Sequence, residues 1–111
     1  MAYNKELEKR ISDTLDEINP PGLIAKKMFG GVGYMLKGNM ACGVLEDQLI
    51  VRIGKDGYDD ALKKPGVSKF HSRGRAMAGW VVVDVGALEN DDALRSWVQR
   101  GVDFALALPP K

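Results

Sequence analysis

The stretch MFGGVGYMLKGNMACGVLEDQLIVRI, residues 28–53, decides the fold that this sequence predicts. Two apolar runs, residues 32–36 and 40–45, lie on either side of Lys37-Gly38-Asn39, and a short connection that contains glycine is typical of a β-hairpin. Residues 46–48 then turn the chain into a third run, residues 49–53. We therefore predict a meander of three antiparallel strands.

The third run has the two-residue period of a strand with two different faces. Leu49, Val51 and Ile53 point to one side, and the residues between them point to the other. The remaining segments should cover one face, because a small meander is not stable alone in water. The other face is predicted to carry Ala41, Gly43, Ile50 and Arg52. An exposed apolar sheet face larger than a few hundred Å² is typical of an interface, so we expect a homodimer.

The N-terminal segment has the apolar spacing of a surface helix over residues 4–18. Its apolar stripe consists of Leu7, Ile11, Leu15 and Ile18. Asn4 is the expected N-cap, and the run Asn-Pro-Pro-Gly at residues 19–22 should end the helix. Residues 22–27 are expected to lead the chain into the meander.

The second half of the chain predicts a short helix near residues 58–62 and two strands, residues 67–71 and 79–84, joined by a loop over residues 72–78. A final helix should begin after Asn90. Its apolar stripe is Leu94, Trp97, Val98, Gly101, Ala105 and Leu108, with Phe104 beside it. Because glycine disfavours a helix interior, Gly101 indicates a close approach to the sheet or to another chain.

The predicted order is helix, three strands, helix, two strands, helix. This order is typical of an α+β fold rather than of an alternating parallel one. We expect two layers, in which the first and last helices pack on one face of an antiparallel sheet. At 111 residues, the chain is expected to form a single domain over residues 1–111.

Composition and motifs exclude several functional classes. Sixteen Lys and Arg against fifteen Asp and Glu give a net charge of +1, which argues against a general polyanion binder. Cys42 is the only cysteine, so an intramolecular disulfide and a cysteine-rich metal site are excluded. The glycines at residues 30–33 lack the third glycine and the following helix of a dinucleotide fingerprint, and no Walker sequence occurs. We expect no cofactor and no metal.

Cys42 is predicted to be a buried thiol that shares a strand face with Met40 and Val44. A sequence with a single cysteine suits a reducing compartment. The sequence has no apolar run near the ~20 residues that span a bilayer, and its N-terminus has no apolar targeting region. We therefore expect a cytoplasmic protein that does not bind membranes.

A basic segment is the most suggestive charge pattern in the chain. Residues 61–83 contain no Asp or Glu, and their cations and histidine are Lys63, Lys64, Lys69, His71, Arg73 and Arg75. This segment could hold an anion or an acidic partner surface, or its guanidinium groups could pair with acidic residues of the flanking helices. The candidate binding residues are Arg52, Lys69, His71, Arg73, Arg75 and Trp80. No catalytic residue is predicted, because no carboxylate or nucleophile can be assigned to His71.

Several sequence blocks occur in an order that resembles the TfoX N-terminal domain family: MFGGVGYMLKGNMACGV, LIVRIG, PGVSKF, GRAMAGWVVV and WVQRGVDFALALPPK. The resemblance extends from about residue 26 to residue 111 and implies a two-layer α+β fold similar to the secretion-chaperone-like class. It also implies a bacterial regulator of competence for DNA uptake that acts with the cyclic-AMP receptor protein at promoters. Longer members add a C-terminal helical domain, and we expect this chain to be a stand-alone N-terminal domain. The family offers no catalytic residue.

Three functions therefore compete. The leading hypothesis is a non-enzymatic regulatory domain that binds a protein through the open sheet face or through the segment from Lys69 to Arg75. The second is direct nucleic-acid binding through the basic residues 63–75, although the sequence has no helix-turn-helix or zinc-finger pattern. The third is an enzyme that uses Arg52, His71 or Arg75 on a small anionic substrate.

Overall fold

The computed structural model describes residues 3–28 and 30–110. Its elements, in chain order, are α1 (Lys5–Ile18), β1 (Leu23–Met28), β2 (Gly31–Leu36), β3 (Asn39–Leu45), β4 (Gln48–Arg52), α2 (Tyr58–Leu62), β5 (Val67–Ser72), β6 (Arg75–Asp84), a 3₁₀ turn (Val85–Leu88) and α3 (Asp91–Ala107). The predicted α+β class and the predicted helices are confirmed.

The six strands form one antiparallel sheet in the order β1-β2-β3-β4-β6-β5. The first four strands are consecutive hairpins, and α2 then carries the chain past β4 so that β5 becomes the far edge. The β5–β6 hairpin turns at Arg73 and Gly74, which both have positive φ, 56° and 78°. Two positive φ values in a two-residue loop match the twist of the flanking strands.

Two strand boundaries differ from the prediction. The segment Leu23–Met28, expected only to lead into the sheet, is the edge strand β1. Residues 75–78, expected in a loop, form the start of β6, and only the pair Arg73-Gly74 lies between the last two strands. Both segments are largely exposed, and they therefore lack the apolar alternation by which a half-buried strand is recognised.

The helices cover one face of the sheet. The Asn4 side chain accepts a hydrogen bond from the backbone N–H of Leu7 at 2.9 Å, which caps α1 as predicted. The Asn90 side chain caps α3 in the same way, through the N–H of Asp92 at 2.7 Å. A single apolar cluster joins both helices to the sheet; among its members are Leu7, Ile11, Leu15, Leu94, Val98, Val102, Val44, Leu49, Val51, Val81 and Val83.

Helix α3 approaches the sheet most closely at Gly101. A Cβ atom at this position would overlap the carbonyl oxygen of Ala41 and would lie 3.1 Å from Cγ1 of Val51. The predicted close approach is therefore confirmed, and the neighbour is the sheet. Only glycine allows the helix backbone to come this near to β3.

A register shift changes which residues of β3 face the helices. Tyr34 pairs with Cys42 but Met35 pairs with Met40, so the ladder is irregular at Ala41. Ala41 is fully buried in the core cluster beneath α3, and its predicted position on the opposite face was wrong. Met40 was expected to share a face with Cys42, but its methyl group lies on the other side, near Gly33 and Gly43.

Candidate functional site

The sheet has a second face that no described helix covers. Gly43 pairs with Ile50, and Ile50 pairs with Val82, so these positions share one side of neighbouring strands. Gly43, Ile50 and Val82 do not belong to the apolar cluster that packs against the helices, so they face the other side of the sheet. We call it the open face, and its larger side chains are Ile24, Lys26, Met28, Met35, Met40, Gln48, Ile50, Arg52, Phe70, Trp80, Val82 and Asp84.

The open face is largely apolar. Three of the five methionines lie on it, and Ile50 and Val82 at its centre are only 5% and 6% exposed because neighbouring side chains crowd them. Ile24 at the β1 edge is 60% exposed. Flexible methionine side chains suit a binding surface because they adapt to different partners. The residue composition of the open face is typical of an interface rather than of a solvent-exposed sheet face.

Arg52 stands on the open face beside two aromatic rings. Its guanidinium carbon lies 5.3 Å from the ring centroid of Trp80 and 5.4 Å from that of Phe104 on α3. Arg52 and Trp80 are direct partners across β4 and β6. These distances are typical of cation–π contacts, which hold the guanidinium plane without using its N–H donors.

Arg52 also lines a cleft of about 410 Å³. Its remaining walls are formed by Ile53, Gly54, Lys55, Asp56, Ala78, Gly79, Trp80 and Phe104. The carbonyl oxygen of Gly79 accepts hydrogen bonds from the N–H groups of Ile53 and Gly54 at 2.8 and 3.0 Å, which fixes the floor of the cleft. Neither His71 nor Arg75 lines this cleft, so the cleft does not join the three residues that the enzyme hypothesis uses.

A second cationic region, the basic hairpin, consists of Lys69, His71, Arg73 and Arg75 on β5, β6 and their turn. All four side chains belong to exposed residues. Within residues 3–28 and 30–110, none of them forms an ion pair with a carboxylate. The alternative in which the guanidinium groups pair with acidic residues of the flanking helices is therefore not observed among the described residues.

Acidic residues of the helix layer instead pair with arginines of the same layer. Arg10 on α1 donates to the carbonyl oxygen of Leu88 at 2.6 Å and to Asp91 at 3.0 Å, and Arg95 on α3 pairs with Glu17. These contacts tie the two long helices together. They engage the carboxylates of Asp91 and Glu17 within the helix layer rather than with the basic hairpin or Arg52.

The structure thus brings together two of the predicted binding residues, Arg52 and Trp80, and groups the other four in the basic hairpin. Sequence reasoning missed Phe104, because it lies beside the apolar stripe of α3, where it contacts Arg52. It also missed Phe70, whose ring centroid lies 6.1 Å from that of Trp80. Alternation in β5 could have revealed Phe70, since Ser68 and Phe70 share one side of the strand.

Cys42 is fully buried on β3, as predicted. Burial in apolar surroundings raises the pKa of its thiol from about 9 to about 12. Burial likewise raises the pKa of the neighbouring Tyr34 hydroxyl, with a smaller contribution from Glu8. A thiol that stays protonated and inaccessible is not a nucleophile at neutral pH.

We expect stability to fall as the pH rises from about 9 towards 12, because the unfolded state loses the Cys42 proton more readily than the folded state does. The contribution of the raised pKa is complete below pH 9 and is lost by about pH 12. The slope from this one proton is at most about 1.4 kcal/mol per pH unit. Urea unfolding across this range measures it, and Cys42→Ala should show the smaller slope. Equal slopes for the two proteins would contradict the expectation.

The fold and the open face define a class, a two-layer α+β domain with one uncovered apolar sheet face. The chain belongs to the TfoX N-terminal domain family, whose profile matches residues 14–105. It is therefore a competence-regulator-like domain. No curated protein and no solved structure matches the chain. Among the described residues, no helix is long and apolar enough to cross a membrane.

Proposed function

We propose that this chain is a non-enzymatic regulatory domain that binds a protein partner through the open face and acts in transcriptional regulation. The observation that carries the proposal is an apolar, methionine-rich sheet face on the side opposite α1 and α3. Burial of such a face removes apolar surface from water at about 25 cal/mol per Å². Family membership supports the regulatory role, and a transcription factor such as the cyclic-AMP receptor protein is the class of partner that the resemblance implies.

Two exposed apolar side chains, one on each side of the molecule, provide a paired test. Ile24 on the open face is 60% exposed, and Leu106 on α3 is 40% exposed. We expect Ile24→Glu to reduce capture of the partner from nuclease-treated lysate at least about tenfold, because a charge would be buried in the interface. Leu106→Glu should capture as much as the unchanged protein. Quantitative mass spectrometry of the captured proteins measures both.

Equal capture by the two variants would place the interface elsewhere. If the partner is captured as expected, transcript levels in cells that carry Ile24→Glu should resemble those of a deletion strain. The expected homodimer is tested on the same variants by sedimentation equilibrium. A dimer that Ile24→Glu dissociates and Leu106→Glu does not would assign the open face to a second copy.

Direct nucleic-acid binding is the second candidate, favoured by the exposed basic hairpin. If Arg75 contacts a phosphate, Arg75→Ala should reduce the slope of log affinity against log salt by about one. Fluorescence anisotropy with a labelled DNA duplex over a salt series measures this slope. Lack of binding at low salt would remove this candidate.

A further inference from the structure

Arg52 has aromatic neighbours but no carboxylate partner in the part of the chain that the structure describes. None of the four ion pairs found there includes it, and it donates none of the side-chain hydrogen bonds. Arg10 and Arg100 are also half-buried, and each donates to a backbone carbonyl oxygen. Arg52 differs from these two arginines because its guanidinium N–H groups remain available to a ligand.

The residues around Arg52 favour a ligand that has both a negative charge and an apolar group. Trp80 and Phe104 hold the guanidinium plane, and the fork of N–H donors matches a carboxylate in a bidentate arrangement. Met40, Ile50 and Val82 continue the surface with apolar groups. Arginine and tryptophan are also the residues that most often dominate the binding energy of protein interfaces.

The charges near Arg52 disfavour a second copy of this chain as the occupant. Lys26 lies on the same face, opposite Gly33, and the cleft is lined by one further cation, Lys55, and by one carboxylate, Asp56. Asp84, at the end of β6, already accepts a hydrogen bond from the N–H of Gly86 at 3.1 Å. A second copy would therefore bring three cations and only two carboxylates to the interface, whereas an acidic partner would bring complementary charge.

We propose that the open face binds an acidic, apolar segment of a partner protein, and that the Arg52 guanidinium, held beside Trp80 and Phe104, anchors it by donating to an Asp or Glu carboxylate. This inference rests on the proposed function and specifies its partner. The segment places apolar side chains on the methionines and Ile50, and one acidic side chain enters the Arg52 cleft. Asp56, which also lines that cleft, weakens the site by repelling the incoming carboxylate.

Three short peptides with blocked termini test the proposal by calorimetric titration. Each alternates leucine with a second residue, which is glutamate, glutamine or lysine. We expect the glutamate peptide to bind at least about tenfold more tightly than the glutamine peptide, and the lysine peptide to bind most weakly. Arg52→Gln should remove the preference for glutamate, and Asp56→Asn should strengthen it about twofold.

Arg95→Gln is the matched control, because Arg95 pairs with Glu17 in the helix layer and does not line the Arg52 cleft, so its loss should not affect the peptides. Equal affinity for the three peptides, lack of binding, or an unchanged preference in Arg52→Gln would overturn the proposal. So would a DNA duplex whose tight, salt-dependent binding requires Arg52. Partner capture that is lost in Ile24→Glu but kept in Arg52→Gln would leave the proposed function intact and reject only the anchor.

Discussion

Replacing Gly101 with alanine should lower the free energy of unfolding by about 1–2 kcal/mol, although alanine is the better helix former. Helix propensity alone predicts a gain of about 1 kcal/mol from this change. The new Cβ would overlap the carbonyl oxygen of Ala41 and press on Val51. Because the obstacle is backbone of a central strand rather than the end of a flexible side chain, the helix must move away from the sheet. Overpacking of this kind costs about 1–3 kcal/mol or more, which outweighs the gain in propensity.

Urea unfolding followed by circular dichroism measures the effect of Gly101→Ala. Asp103→Ala, two residues along on the exposed side of the same helix, is the control and should change stability by less than about 0.5 kcal/mol. Gly101→Val should be worse than Gly101→Ala, since a β-branched side chain adds volume and lowers helix propensity. A stabilised Gly101→Ala protein would mean that α3 does not lie this close to β3.

The sequence predicted the helices and strands that have one buried face and one solvent-exposed face. Helix α1 has this character, and its stripe and both of its ends follow from residues 4–22. Strand β1 does not, because an edge strand beyond the helix layer is exposed over most of its length. Its sequence, LIAKKM, therefore has no alternation to detect, and only its pairing with β2 makes it a strand.

The position of Ala41 illustrates a different limit. The two-residue period assigns faces correctly only while the ladder is regular, and the shift between Tyr34 and Met35 interrupts it. The same shift brings Met40 to the open face and the Ala41 carbonyl beneath Gly101. No local pattern reveals this exchange, because it depends on how closely α3 packs.

The candidate site was predicted as a list of residues rather than as a geometry. Arg52 and Trp80 are 28 positions apart in the chain and become neighbours only because α2 carries the chain past β4, so that β6 returns beside it. Charge pattern alone could identify the cations of residues 63–75. It could not show that the helix carboxylates are engaged with Arg10 and Arg95.

Adjacent residues of β4 should respond very differently to truncation, because they face the two sides of the sheet. Leu49→Ala should lower the free energy of unfolding by about 3 kcal/mol, since Leu49 is fully buried between the sheet and the helices. The cavity left there would be closed on all sides and lined by apolar groups. Ile50→Ala should cost about half as much, because no described helix packs on Ile50 and the flexible Met40 side chain beside it can partly fill the space.

Urea unfolding of the two variants gives the stability difference, and partner capture gives the complementary result. We expect Ile50→Ala to remain folded at 25 °C and yet to lose most of its binding, whereas Leu49→Ala should bind normally to the extent that it is folded. The variant that loses more stability should therefore lose less binding, because Leu49 stabilises the core whereas Ile50 contributes to the binding surface. Equal stability losses would mean that the open face is packed as tightly as the core, which would argue against its role as a binding surface.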